Sequence, residues 1–205
     1  MTITNGYATL AEYKSYIAMR GLAGSVGTDT ADDAVIEDLI EAVSRYADRM
    51  TGRRFYADAN DTAYYYTTDD ALELCLPDFK SITTVAVDYS NVRSYTALTA
   101  SDWEALPINY SAEGLPIRGI AIIPTSAAYF PTWRNAVKVT GKRGFPAVPD
   151  NIKEAVLETA VAIYGQRSGQ SNSGRISITA AGIVIRPDDV PEFAMAIFKS
   201  YRFIT

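Results

Sequence analysis

Between Ala31 and Thr51 the apolar side chains stand at Ile36, Leu39, Ile40, Val43, Tyr46, Ala47 and Met50. They form one stripe at helical period, so the stretch predicts an amphipathic helix. Asp32, Asp33, Glu37 and Asp38 crowd its start, and Arg45 and Arg49 stand near its end. That polarity complements the helix dipole. Thr30 with Asp33 resembles a capping box, and Gly52 suits a left-handed C-terminal cap. A shorter helix is predicted from Thr9 to Arg20, with Leu10, Tyr13 and Ile17 on one side and Thr9 and Glu12 as reciprocal caps. The glycine-rich segment Gly21–Gly27 between the two helices reads as a linker. It follows no strand and lacks the Gly-Lys-Ser/Thr of a phosphate loop.

The period changes in residues 54–142. Tyr64–Tyr66, Ala71–Leu76, Ile82–Val87, Arg118–Ile123 and Ala136–Thr140 read as strands, punctuated by Pro77, Pro107, Pro116, Pro124 and Pro131. Gly141 and Gly144 predict a tight turn around Lys142 and Arg143. Helical spacing returns at Ile152, Ala155, Val156, Thr159, Ala160 and Ile163, with Asp150 as the capping residue. Residues 168–174 form a polar loop by composition. Ile176–Ile185 reads as a hairpin turning at Ala180–Gly182. Asp189 and Pro191 are expected to open a final helix. Its spacing puts Phe193, Ala194, Ile197 and Tyr201 toward the bundle, with Phe198 and Arg202 on another side. The predicted class is α+β: a small helical bundle with an antiparallel β-rich insertion between the second and third helices. The expected divisions are residues 1–53, 54–142 and 143–205, acting as one structural unit.

Composition narrows the chemistry. Hydrophobic content of 48% and charged content of 21% are those of a folded domain. The net charge of −5, from 19 basic and 24 acidic side chains, argues against dedicated DNA binding. No histidine is present, which removes histidine-based catalysis and histidine-containing zinc sites. The one cysteine, Cys75, excludes an internal disulfide and a thiolate zinc site. It alternates with Leu72, Leu74 and Leu76 and reads as an ordinary strand residue. No apolar stretch approaches the roughly 20 residues a membrane helix needs. Residues 1–15 show no signal-peptide pattern, so synthesis in the cytoplasm is expected. Carboxylate chemistry remains, with Asp33, Glu37 and Glu41 sharing one helical face. A solvated acidic helix start accounts for that cluster, so no cofactor and no metal are expected. Arg53-Arg54 and Lys142-Arg143 could meet phosphate, or simply close a helix and occupy a turn. Tyr64 and Tyr66 share one face of a strand, with Tyr65 on the other. The 14 tyrosines suit interfaces, and equally suit strands.

One passage combines these signals: Val137-Lys-Val-Thr-Gly-Lys-Arg-Gly-Phe-Pro-Ala-Val-Pro-Asp-Asn-Ile. A strand is handed through glycines and a proline clamp to an amphipathic helix. This order resembles the head-to-tail connector (adaptor) proteins of long-tailed bacteriophages. The helix Ile36–Gly52 ending in Arg53-Arg54-Phe55-Tyr56 resembles that family's first core helix. Leu76–Asp88 resembles its strand-proline-strand passage, and Ala100–Pro107 its aspartate-aromatic turn ending in Leu-Pro. Val190–Arg202 resembles its terminal helix. The likeness spans most of residues 8–203, with residues 168–189 longer than the pattern.

The resemblance implies a structural virion protein of the neck, assembled in the host cytoplasm. Copies would form a ring, dodecameric as in related phages, that docks on the portal and extends the DNA channel. Double-stranded DNA would pass without specific binding, and a downstream neck or tail protein would sit on the far side. Phe198, Tyr201, Arg202 and Phe203 are the expected partner-binding residues. Ile176, Ile178, Ile183 and Ile185 in the hairpin are the expected subunit contacts, because a lone two-stranded hairpin is marginal. The alternatives are a stopper or tail-completion protein, a DNA-packaging accessory, and a carboxylate-dependent hydrolase.

Overall fold

Thr9 caps the first helix, α1 (Leu10–Met19), as its sequence predicts. The Glu12 amide donates to Thr9 Oγ1 at 3.2 Å, and the Thr9 amide donates to Glu12 Oε2 at 2.8 Å. The computed structural model describes residues 3–21, 30–167, 177–179 and 182–202. Helix α2 (Asp33–Thr51) buries Ile36, Leu39, Ile40, Val43, Tyr46 and Ala47 and ends at Gly52, whose φ of 67° is left-handed. The expected Thr30–Asp33 capping box does not form. The Asp33 carboxylate is drawn instead to Lys14 Nζ at 2.6 Å, tying α2 to α1.

Helix α3 (Asp150–Arg167) buries Ile152, Ala155, Val156, Thr159, Ala160 and Ile163, the stripe the spacing predicts. Asp150 lies inside its first turn, and Asn151 Oδ1 accepts from the Ile152 amide at 3.0 Å. The final helix, α4, spans Glu192–Ser200. Asp189 does not cap it. Asp189 closes a preceding 3-10 turn, accepting from the Arg186 amide at 2.8 Å, and Pro191 stands at the cap of α4. With the chain up to Arg53 and from Val148 onward, these helices make one compact unit.

Residues 54–147 make the other unit. Its strands are β1 (Thr62–Tyr66), β2 (Glu73–Val87), β3 (Thr96–Ala97), β4 (Trp103–Leu106), β5 (Ile117–Ile122) and β6 (Val137–Arg143). They form one antiparallel sheet in the order β1-β6-β2-β5-β4, with β3 also on β2. The two strands expected at Ala71–Leu76 and Ile82–Val87 are one 15-residue strand. Pro77 lies where the register with β5 shifts between Cys75 and Phe79, a place where a missing N–H costs no ladder bond. The first half of β2 pairs with β5 and the second half with β6. One face of the sheet carries the core: Leu74, Leu76, Phe79, Val85, Val87, Ile117, Ile120, Val137 and Val139, closed by Phe130. Tyr64 and Tyr66 pack edge-on against Phe79, while Tyr65 faces out at 51% exposure.

Gly141 is not in a turn. The strand β6 runs through it, and a Cβ there would stand 2.2 Å from the Ser81 carbonyl oxygen. Glycine at this position lets two strand backbones approach at a bulge. Strands β7 (Ser177–Thr179) and β8 (Gly182–Val184) pair as the expected hairpin, with Ile178 opposite Ile183. Strand β8 lies against α2 in the helical unit.

Candidate interaction surfaces

The C-terminal residues divide between core and surface. Phe198 is fully buried and meets the Tyr46 ring edge-on, with centroids 6.3 Å apart. The expected phase of α4 is therefore corrected. Ala194 and Phe198 face inward, and Phe193 stands 54% exposed. The physical reason is room: Ala194, one turn earlier, has no bulk, so the larger ring fills the space against α2. Phe198 has no surface to offer a partner. Tyr201 is half-buried, and its hydroxyl donates to Asn151 Oδ1 at 3.0 Å, tying the end of α4 to α3. Arg202 is exposed. Phe203 lies outside the described residues.

Among the hairpin candidates, Ile178 and Ile183 sit at paired backbone positions and Ile185 is half-buried just after β8. Ile176 lies outside the described residues. The contact of β8 with α2 gives the hairpin a partner inside its own chain.

The acidic start of α2 is occupied by structural bonds. Asp32 accepts from the Tyr164 hydroxyl at 2.7 Å, Asp33 pairs with Lys14, and Glu41 accepts from the Asn5 amide at 3.3 Å. Among the described residues no three cysteine or carboxylate groups converge to hold a metal. None of the described helices is long and apolar enough to cross a membrane.

Both basic pairs contribute to a network centred on Asp58, which sequence reading missed. Arg54 Nη2 donates to Asp58 Oδ1 at 2.7 Å and to the Arg143 carbonyl at 2.9 Å. The Tyr64 hydroxyl donates to Asp58 Oδ2 at 2.7 Å, and the Arg143 amide donates to the same oxygen at 3.0 Å. The Asp58 amide completes the ring by donating to the Arg143 carbonyl at 2.8 Å. Partial burial by itself raises the Asp58 carboxyl. The Tyr64 and Arg143 bonds and the Arg54 charge outweigh it and hold the group below its ordinary value of 3.8. The Arg143 guanidinium lies over the Tyr64 ring at 5.0 Å, and that of Arg54 over the Tyr56 ring at 4.7 Å. Arg54 is therefore a structural cation. A carboxyl with a depressed pKa stabilises the fold above its unfolded value and loses that contribution as pH falls through the folded one. Asp58→Asn is expected to cost about 1–3 kcal/mol at neutral pH. It should also flatten the loss of stability below pH 4, where the unfolded carboxyl protonates. Denaturant titrations at pH 7 and pH 3 measure both effects.

No protein-family model and no curated protein matches this sequence. Solved structures do. A chain from the neck of an empty GTA particle with C6 symmetry aligns at TM-score 0.58 and 16% identity, covering 100% of this chain and 94% of that one. A chain from the virion of the native gene transfer agent (GTA) particle aligns at 0.54 and 17%, with 100% and 94% covered. A third, from the neck of the native GTA particle with C12 symmetry, aligns at 0.50 and 14%, covering 100% and 97%. At these identities the shared property is the fold. The likeness covers 100% of this chain and 94–97% of the others. That agrees with the fold the connector resemblance implies.

Proposed function

We propose that this chain is a structural neck protein, a connector whose copies form a ring on the portal, extend the DNA channel and carry the next neck or tail protein. The supporting observation is the likeness of fold, over the whole of this chain, to chains from a particle neck. Twelve copies is the subunit number that fits the resemblance. The role needs no catalysis and no cofactor. Its place is the virion neck, reached from the host cytoplasm, with double-stranded DNA passing unread through the lumen. The excess of acidic over basic side chains suits a wall that does not hold phosphate.

Tyr201, Arg202 and Phe203 are the portal-side residues in this reading, with Arg202 exposed at the end of α4. The hairpin around Ile176, Ile178, Ile183 and Ile185 offers the helical unit a surface toward a neighbouring subunit. Arg202→Glu is expected to leave the melting transition within about 0.5 kcal/mol of wild type, as an exposed change should. Capture by purified portal particles should fall about tenfold or more, because a reversed rim charge opposes docking. Deleting residues 201–205 should abolish capture, with a small loss of stability from the missing Tyr201–Asn151 bond. Wild-type capture by the truncated chain would remove the C-terminus from the docking surface. Electron microscopy that finds the protein absent from the portal–tail junction would reject the neck assignment.

A further inference from the structure

The segment before α1 carries a reactive pair. Asn5-Gly6 is the one Asn-Gly sequence of the chain. Asparagine is a chemically labile residue. It is most labile before glycine, whose missing Cβ lets the backbone bend its amide nitrogen onto the preceding side chain. Packing requires glycine here. A Cβ at Gly6 would stand 3.2 Å from the Ala8 carbonyl oxygen and 3.3 Å from Ile40 Cγ2 on α2, and closer still to the Ile3 side chain. Neighbouring bonds hold the segment on α2. The Asn5 amide donates to Glu41 Oε2 at 3.3 Å, the Tyr7 amide donates to Ser44 Oγ at 3.0 Å, and the Tyr7 hydroxyl donates to Asp48. Among the described residues, neither the Asn5 side-chain amide nor the Gly6 N–H has a hydrogen-bond partner. These two groups are the electrophile and the nucleophile of amide-to-imide cyclisation.

Arg45 supplies a cation at the right atom. Its Nη2 donates to the Asn5 carbonyl oxygen at 2.7 Å, and its guanidinium lies over the Tyr7 ring at 5.4 Å. That carbonyl belongs to the same peptide unit as the Gly6 N–H. When the N–H ionises, resonance spreads the charge onto this oxygen. A guanidinium hydrogen bond there favours the anion. An adjacent opposite charge lowers a pKa by about one unit or more, which raises the population of the anion about tenfold.

From this geometry we infer that Asn5 is a self-modification site, converted to aspartate and isoaspartate in the folded chain with Arg45 as the activating group. The Gly6 N–H gives its proton to hydroxide, and the nitrogen bonds to Asn5 Cγ. The Cγ–Nδ2 bond then breaks. Nδ2 takes a proton from water and leaves as ammonia, and a cyclic imide remains. Water opens that ring at either carbonyl. Breaking the nitrogen–Cγ bond gives aspartate. Breaking the bond from the nitrogen to the backbone carbonyl carbon gives isoaspartate, with the chain running on through Cβ and Cγ. In sum, one water enters and one ammonia leaves. Isoaspartate lengthens the main chain by a methylene just ahead of Tyr7. That shift takes Tyr7 out of register with Ser44 and Asp48, so the segment loosens its hold on α2.

The test incubates the full chain at mildly alkaline pH and follows each asparagine by peptide mapping and isoaspartyl methyltransferase labelling. Asn5 is expected to convert about tenfold faster or more than Asn91 and Asn109, which are exposed but precede bulkier residues. Arg45→Gln is expected to slow the Asn5 reaction about tenfold, and Arg45→Lys to keep more of the rate because it keeps the charge. The sign is diagnostic. Were Arg45 only a structural tie, cutting it would free the segment and speed the reaction. Far-UV circular dichroism confirms that the variants keep their helices. In converted protein the Tyr7 amide should exchange with solvent about tenfold faster or more than in fresh protein. Asn5→Gln, incubated in the same way, should keep the slow exchange. Asn5 conversion no faster than that of Asn91, or an Arg45→Gln rate at or above wild type, would overturn the inference. Unchanged Tyr7 exchange after full conversion would overturn the loosening.

Discussion

Replacing Gly144 with alanine is expected to destabilise the β unit by about 3 kcal/mol or more. Gly144 holds a φ of 115°, where a side chain is strained, and a Cβ would stand 2.0 Å from the Tyr56 carbonyl oxygen. The obstructing atoms are backbone, so they cannot swing aside. The left-handed conformation costs about 1–2 kcal/mol and overpacking about 1–3 more. The Gly144 amide also donates to the Asp78 carbonyl at 2.8 Å, a bond that any shift of the segment would lose. Both tryptophans of the chain, Trp103 and Trp133, pack against the β-unit core. Their fluorescence therefore reports this unit selectively. A lower denaturant midpoint of the tryptophan signal is the expected reading, and an unchanged midpoint would contradict the steric argument.

Phe198→Ala is expected to cost about 3–5 kcal/mol, the range for removing a fully buried aromatic ring. Phe198 has no exposed surface, and its loss would leave a cavity beside Tyr46 under α4. The helical unit contains no tryptophan, so far-UV circular dichroism is the probe here. Phe193→Ala makes the control. Its ring is 54% exposed, and the change should stay near 1 kcal/mol or below. Equal losses from the two substitutions would contradict the orientation of α4.

The contrast between these residues shows where sequence was informative. The stripe of α2 and the cap at Gly52 were legible because each is a local pattern with one physical solution. The phase of α4 was not. Phe193 with Ile197 and Ala194 with Phe198 are both spaced one turn apart, and only the neighbouring helix decides which pair enters the core. Gly141 read as a turn residue, because glycine signals both turns and close backbone approach. Pro77 read as a strand terminator for a similar reason, although a bulge tolerates it. The Asp58 network joins residues 85 positions apart and left no local trace.

The Asp58 network has a consequence for how the chain was put together. Arg54 and Arg143 stand near the entry and exit of the β unit, and a hydrogen bond joins them. The unit therefore leaves the chain at nearly the point where it joins it. A closed module of this kind can lengthen, shrink or be exchanged without pulling apart the helices on either side, because the span it must bridge stays fixed. Loop-closure entropy grows slowly with length, so the helical unit feels such changes weakly. A lineage could refashion the β unit for new neighbours while the helices kept their packing.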